Sequence, residues 1–294
     1  NGMVGQNFYR ILNKEKKFNI YLTSKNKNNL NNGINYIQCD FNIKNSFKNL
    51  KNFVNPDLII HCAAMTNVDL CEINQKEAYK INVDSSKLLL EMFSDKKIIF
   101  ISTDAVFGSK NINTENSHPN PDNYYGLTKY YSERIIMQNK DNVIIRTTPI
   151  GFNYFENSGF LNWILSSIYQ KKQINIFDDV YFNPIHTSLL LKYILLIAKE
   201  NMNGTYHINS NFNHSKYEFV RKLLFNLKLN SSFVNKVKFN NSNFKAVRNK
   251  NQILLFNSSE KKLNIKYPKI KDSFNAISND LKNILILNRL STND

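Results

Sequence analysis

The residues best suited to chemistry are Tyr125 and Lys129 in the stretch NYYGLTKYYSE. Four positions apart, they share one face of a helix. An ammonium beside a phenol favours the phenolate and lowers a pKa that starts near 10, so such a tyrosine could exchange a proton near neutral pH. About twenty residues earlier, the apolar run in IIFISTDAVFG ends in Ser102, Thr103 and Asp104, two hydroxyls and a carboxyl. The run in DLIIHCAAMTNVD ends in Ala63 and Ala64, small enough for a ligand to lie against the backbone. In the opening NGMVGQNFYRIL, Gly2 and Gly5 bracket Met3 and Val4 just ahead of an apolar helical period at Val4, Phe8, Ile11 and Leu12. Glycines so placed let a phosphate approach a helix N-terminus. Taken alone, a Y-x-x-x-K spacing also suits a plain solvated helix face, and G-x-x-G a plain turn.

The elements that must hold these residues alternate. Apolar, β-rich runs at Ile20 to Thr23, Ile34 to Cys39, Leu58 to Cys62, Lys97 to Ser102 and Val143 to Arg146 predict strands. Helical segments lie between them, notably Lys76 to Phe93 and Tyr124 to Gln138. Strands apolar on both faces belong in a parallel sheet covered by helices, so the fold class is α/β, a doubly wound parallel sheet. Such sheets bind ligands at the carboxyl ends of their strands, where Ala63, Thr103 and Asp104 stand. The pattern changes after Gly151. GFLNWILSSIYQ predicts a helix with Phe160, Leu161, Ile164, Leu165 and Ile168 inward, Trp163 being a packing residue, and KKQINIFDD a short strand. Residues 183–208 suggest a return to the first domain, with His186 structural. Residues 229–251 carry no clear pattern, and a closing helix is expected from Lys271 to Leu285.

Composition narrows the classes. Hydrophobic residues at 42% and aromatics at 13% supply a sizeable core and exclude a disordered or collagen-like chain. The net charge of +16 invites a nucleic-acid partner, but the six arginines are scattered and the lysines diffuse, so none is expected. The longest apolar run, Leu189 to Ala198, is broken by Lys192 and too short to span a bilayer. Cys39, Cys62 and Cys71 fit neither a disulfide framework nor a zinc cage, which predicts a reducing, cytoplasmic setting and no metal.

The ordered set of glycine turn, small strand end, STD and Y-x-x-x-K resembles the extended short-chain dehydrogenases/reductases. More narrowly, STDAVFG, YYGLTKYYSE, VIIRTTPIG, FNPIHTSLLLKYI and GTYHINS are similar to the dTDP-4-dehydrorhamnose reductase group. The resemblance implies a Rossmann-like dinucleotide-binding domain at 1–150 and a smaller substrate-binding lobe at 151–294. By the same resemblance Tyr125 is the general acid, Lys129 its partner and a ribose ligand, and Thr103 a hydrogen-bond donor to the reacting ketone. Gly2, Met3, Val4 and Gly5 form the phosphate turn; its first glycine and a strand, about a dozen residues, are expected upstream of Asn1. Asp40 faces the adenine, and Ala63 and Ala64 flank the cofactor. With no acid at the second strand end, Ser24 and Lys25 predict NADPH over NADH, Lys25 meeting a 2′-phosphate. On the substrate side stand Thr103, Asp104 and Arg248, the last against a nucleotide diphosphate. The implied reaction is reduction of a nucleotide-activated 4-keto-6-deoxy sugar. A 4-epimerase, or a non-catalytic regulatory subunit of methionine adenosyltransferase type, are the alternatives, and a homodimer is a possible assembly. Ala105, Met65, Pro149 and Asn249 depart from the group's pattern of tyrosine, tyrosine, tryptophan and proline, which leaves the particular sugar open.

Overall fold

The computed structural model describes residues 2–25, 36–109, 113–156 and 158–291, with side chains to residue 284. Helix α1 (Met3–Glu15) buries Phe8 and Leu12 and ends at Lys16 in the left-handed region. A parallel pair follows, β1 (Leu22–Ser24) and β2 (Tyr36–Gln38), in register from Leu22 opposite Tyr36. The predicted strand from Ile34 to Cys39 is thus a shorter ladder, and its residues 34–35 lie outside the described residues. After α2 (Lys44–Phe53) come β3 (Leu58–His61), α3 (Val68–Ile73) and α4 (Gln75–Tyr79). A π-helical turn at Lys80–Asp84 joins α4 to α5 (Ser85–Met92), where the sequence predicted one uninterrupted helix. Strand β4 (Lys97–Ser102), helix α6 (Tyr124–Ile136) and strand β5 (Val143–Arg146) complete the first half.

The main sheet has the order β10-β5-β4-β3, all parallel, where β10 (Gly204–His207) arrives from much later in the chain. Its central strands β4 and β5 are apolar along most of their length because both faces are covered. Ile98, Phe100 and Ile144 point to the side packed by Phe47 of α2, Leu89 of α5, Phe93 just after it and Ile136 of α6. Their neighbours Ile99, Ile101, Val143 and Ile145 point to the other side, against Phe8 and Leu12 of α1 and against a later helix. That alternation is the period of two of a pleated strand.

The later segments are short strands and helices: β6 (Pro149–Ile150), α7 (Phe160–Tyr169), β7 (Ile174–Phe177), β8 (Tyr181–Phe182), β9 (Ile185–His186) and α8 (Thr187–Lys199). Helix α8 packs on α1, bringing Leu190, Leu191, Ile194 and Ile197 to the sheet. After β10 come β11 (His214–Ser215), α9 (Lys216–Asn226), β12 (Val234–Val237), β13 (Asn251–Gln252), α10 (Asn257–Leu263) and α11 (Ile270–Ser291). Helix α9 opens with a capping box between Ser215 and Glu218. A second core gathers Leu161, Ile164, Leu165 and Ile168 of α7 with Phe219, Leu223, Phe274 and Ile277. Trp163 stands 43% exposed beside Phe160. His186 is buried, caps α8 through Ser188, and meets the Asp280 carboxylate at 3.3 Å. No helix among the described residues is long and apolar enough to cross a membrane. No cluster of three metal-ligating side chains occurs among them either.

Candidate active site

Strand β4 ends at Ser102, and the chain turns at once. Thr103 caps a 3-10 turn over Asp104–Val106, its hydroxyl accepting from the Ala105 N–H at 3.2 Å and donating to the Asp104 carboxylate at 3.1 Å. Helix α6 starts beside this turn, capped by Asn123, whose side chain accepts from the Gly126 N–H at 2.9 Å. Gly126 sets how closely the two approach. A Cβ there would lie 2.0 Å from the Ala105 carbonyl oxygen, so only glycine allows this contact. Tyr125 is thereby brought close to Thr103 and Asp104, both of which act on its phenol.

Lys129, one turn further on and 3% exposed, points at the sheet. Its ammonium donates to the Ile101 carbonyl at 2.8 Å and sits 3.9 Å from the centre of the Phe100 ring. Burial lowers its pKa to about 7, against the attraction of Glu133 and Cys62. Tyr125 goes the other way: burial, then the nearby Asp104 carboxylate, raise its phenol above the usual range, and the Thr103 hydrogen bond only partly offsets them. This corrects the expectation that Lys129 would lower the phenol. Helical spacing put both side chains on one face, but that face lies against the protein. Loss of water penalises both charged forms.

Three further groups surround this set that spacing alone did not reveal. Glu133, a turn beyond Lys129, accepts from Ser102 at 2.5 Å and takes both Nε and Nη2 of Arg146, the latter at 2.7 Å. Asn82, in the π-helical turn, accepts from the Met65 N–H at 2.7 Å and donates to Thr128 at 2.9 Å. It ties the loop after Ala63 and Ala64 to the helix of Tyr125, and the extra residue of a π turn is often used in this way. Lys216, at the start of α9, acts on Asp104 from a distant part of the chain. Burial lowers its pKa to about 8 despite Asp104, and Arg248 pushes the same way. Asp104 itself is raised by burial, against Thr103 and Lys216.

Arg248 is engaged within the protein. It donates to Asp69 at 2.8 Å and lies over the Phe244 ring, while its Nε has no partner among the described residues. The Asp69 carboxylate also accepts from the Lys245 and Ala246 N–H groups. Burial works against its ionisation, but these bonds hold it below its ordinary range.

At the other strand ends, Gly2 caps α1, whose first turn has no side-chain cap, and a Cβ at Gly2 would meet nothing within 4 Å. Open space in front of bare helical N–H groups suits a phosphate. Gly5 instead faces Leu22 of β1 at 3.9 Å, and Met3 lies near Gly151. Ser24, Lys25 and Asp40 come together beyond β1 and β2. The Ser24 carbonyl accepts from the Cys39 N–H, and Lys25 approaches Asp40 at 3.8 Å. Lys25, Gln38 and Asp40 line a cleft of about 460 Å³ with Ile43, Ser46 and Asn49. Ala63 and Ala64 are half-buried just after β3.

Over residues 1–283 the chain fits the family of the RmlD substrate binding domain. The probable low-salt glycan biosynthesis reductase Agl14 of Haloferax volcanii is 29% identical over 175 residues, covering 57% of this chain and 58% of that protein. Methionine adenosyltransferase 2 subunit beta of Danio rerio is 30% identical over 122 residues, covering 41% of this chain and 38% of its own length. The chain thus spans under two thirds of either curated relative. The crystal structure of dTDP-4-dehydrorhamnose reductase from Bacillus anthracis in complex with NADP has the same fold, with a TM-score of 0.80 at 23% identity over 94% of this chain and 95% of that one.

Proposed function

Because the chain belongs to the RmlD substrate binding domain family, we propose that it is an NAD(P)H-dependent reductase of a nucleotide-activated 4-keto-6-deoxy sugar. The observation that carries this reading is the convergence of Thr103, Tyr125 and Lys129 where β4 meets α6. The residues fit a dinucleotide: the uncapped first turn of α1 with its open Gly2 for the phosphates, Ala63 and Ala64 beside it, and Ser24, Lys25 and Asp40 around the cleft beyond β2. When bound, the nicotinamide supplies the hydride.

The side chains then handle the oxygen. Thr103 holds the ketone by a hydrogen bond, and Tyr125 gives its proton as negative charge develops there. A phenol raised above its usual range keeps that proton until a stronger base forms, which suits an acid in the reducing direction. Lys129, when charged, steadies the phenolate left behind and offers a donor to the ribose. Lys216, whose ammonium acts on Asp104, suits the diphosphate of the substrate, and Arg248 would join it while still holding Asp69.

The test is single-turnover oxidation of NADPH and NADH with a panel of nucleotide 4-keto sugars, native protein against Tyr125→Phe. Phenylalanine keeps the ring but removes the proton, and general acid catalysis of this kind is worth about 10² to 10⁴ in rate. Cofactor affinity should change little. Equal turnover in the two proteins refutes the reading. Cofactor binding with no reduction of any sugar by the native protein favours the non-catalytic, regulatory alternative.

A further inference from the structure

Glu133 lies on the face of α6 that already carries Tyr125 and Lys129, one turn beyond the lysine. Its side chain is 6% exposed and fully occupied: Oε1 accepts from the Ser102 hydroxyl at 2.5 Å and from Arg146 Nε at 3.0 Å, and Oε2 accepts from Arg146 Nη2 at 2.7 Å. Ser102 immediately precedes Thr103, and Arg146 ends the neighbouring strand. One carboxylate therefore joins the ends of β4 and β5 to the helix of the proton-transfer residues. A buried ion pair of this kind is weak evidence for stability. It is stronger evidence for position, since Ser102 directly precedes Thr103 and Arg146 lies opposite Ser102 in the sheet.

We propose that Glu133 is a positioning residue of this site, a buried carboxylate that fixes the Thr103 strand end against α6 and faces the Lys129 ammonium; its catalytic consequence rests on the reductase reading above. The groups facing Lys129 come from three strands and its own helix. From β3 and the residue after it come His61 and Cys62; burial lowers the histidine to about 3 and raises the thiol to about 12, so both are neutral near pH 7. Strand β4 offers only the Phe100 ring and the Ile101 carbonyl. Arg146 of β5 is turned to Glu133 and the Phe107 ring. On α6 itself the phenol of Tyr125 is neutral. Among these described groups, Glu133 is the one anion. Without it the ammonium would be a buried cation held by a carbonyl and a ring alone, and such a cation gives up its proton.

The experiment is an NMR pH titration of cofactor-free protein labelled at the lysine ε-carbon, the Lys129 signal being assigned by its loss in Lys129→Met. In the native protein it should titrate near 7. In Glu133→Gln the midpoint should fall. A tenfold weaker hold on the proton leaves about one tenth of the molecules charged at pH 7, against about half before. Glu133→Asp should recover part of the shift, and the pH at which turnover is lost on the alkaline side should move with the titration. If Glu133→Gln does not fold, Glu133→Gln with Arg146→Gln replaces the ion pair by an amide pair, and the midpoint should again fall. An unmoved midpoint in the variant that folds overturns the proposal. A midpoint that moves in a protein that reduces no sugar supports the positioning role and removes only the reductase reading.

Discussion

Replacing Lys129 with methionine should flatten the rise of stability with alkaline pH. The side chain is 3% exposed and its pKa falls from 10.5 to about 7 on folding. Between those values the unfolded chain binds nearly one more proton than the folded one, so stability increases with pH by about 1.4 kcal/mol per pH unit. The sign is that of a depressed group: the contribution is complete above the unfolded pKa and is lost as pH falls through about 7. Methionine keeps the stem against Phe100 and removes the titration. It leaves the Ile101 carbonyl without its donor, a loss of about 1–3 kcal/mol that does not depend on pH. Urea unfolding of cofactor-free native and Lys129→Met proteins, at about pH 7.5 and about pH 9.5, cancels the other lysines in the difference. The native protein should gain roughly 2.5 kcal/mol over the variant across that interval. Parallel pH dependences would mean that Lys129 is not a desolvated cation and that α6 does not settle on β4 as the buried contact with Ile101 requires.

Gly126→Ala should lower the melting temperature, because its Cβ would press on the Ala105 carbonyl at 2.0 Å; displacing the start of α6 costs about 1–3 kcal/mol and should remove turnover. Gly2→Ala should fold nearly as well as the native protein, since nothing lies within 4 Å of its Cβ, yet bind NADPH more weakly; calorimetry and cofactor titration separate the two glycines. Lys25→Ala should weaken NADPH about tenfold and leave NADH unchanged, as expected for one exposed charge-assisted bond to a phosphate. The native contact of Lys25 with Asp40 at 3.8 Å is exposed and worth little, so it would not hold the lysine back. Equal losses for both cofactors would remove Lys25 from the 2′-phosphate.

Local periodicity governs the features that are legible in the residues alone. The run Lys97 to Ser102 is a strand with those ends because its residues alternate between two apolar environments, and Val143 to Arg146 likewise. Tyr125 and Lys129 share a helix face because helices repeat every 3.6 residues, and Gly2 caps α1 while Gly5 lies within its first turn. Even the order of glycine turn, small strand end, STD and Y-x-x-x-K follows from one chain running through a parallel sheet. The direction of the phenol shift did not follow. Proximity to an ammonium was legible, but the loss of water at that face and the return of Asp104 towards it arise only when α6 settles on β4. The π-helical turn at Asn82 was hidden for the same reason, since its side chain bonds to residues 17 and 46 positions away. Arg248 was expected against a nucleotide diphosphate, and packing also gave it Asp69, 179 positions earlier. Lys216 and Asp104, 112 positions apart, act on each other only in the folded chain. Spacing within an element is fixed by backbone geometry, whereas solvation and long-range partners belong to surfaces brought together from distant parts of the chain, and tertiary structure alone decides which surfaces those are.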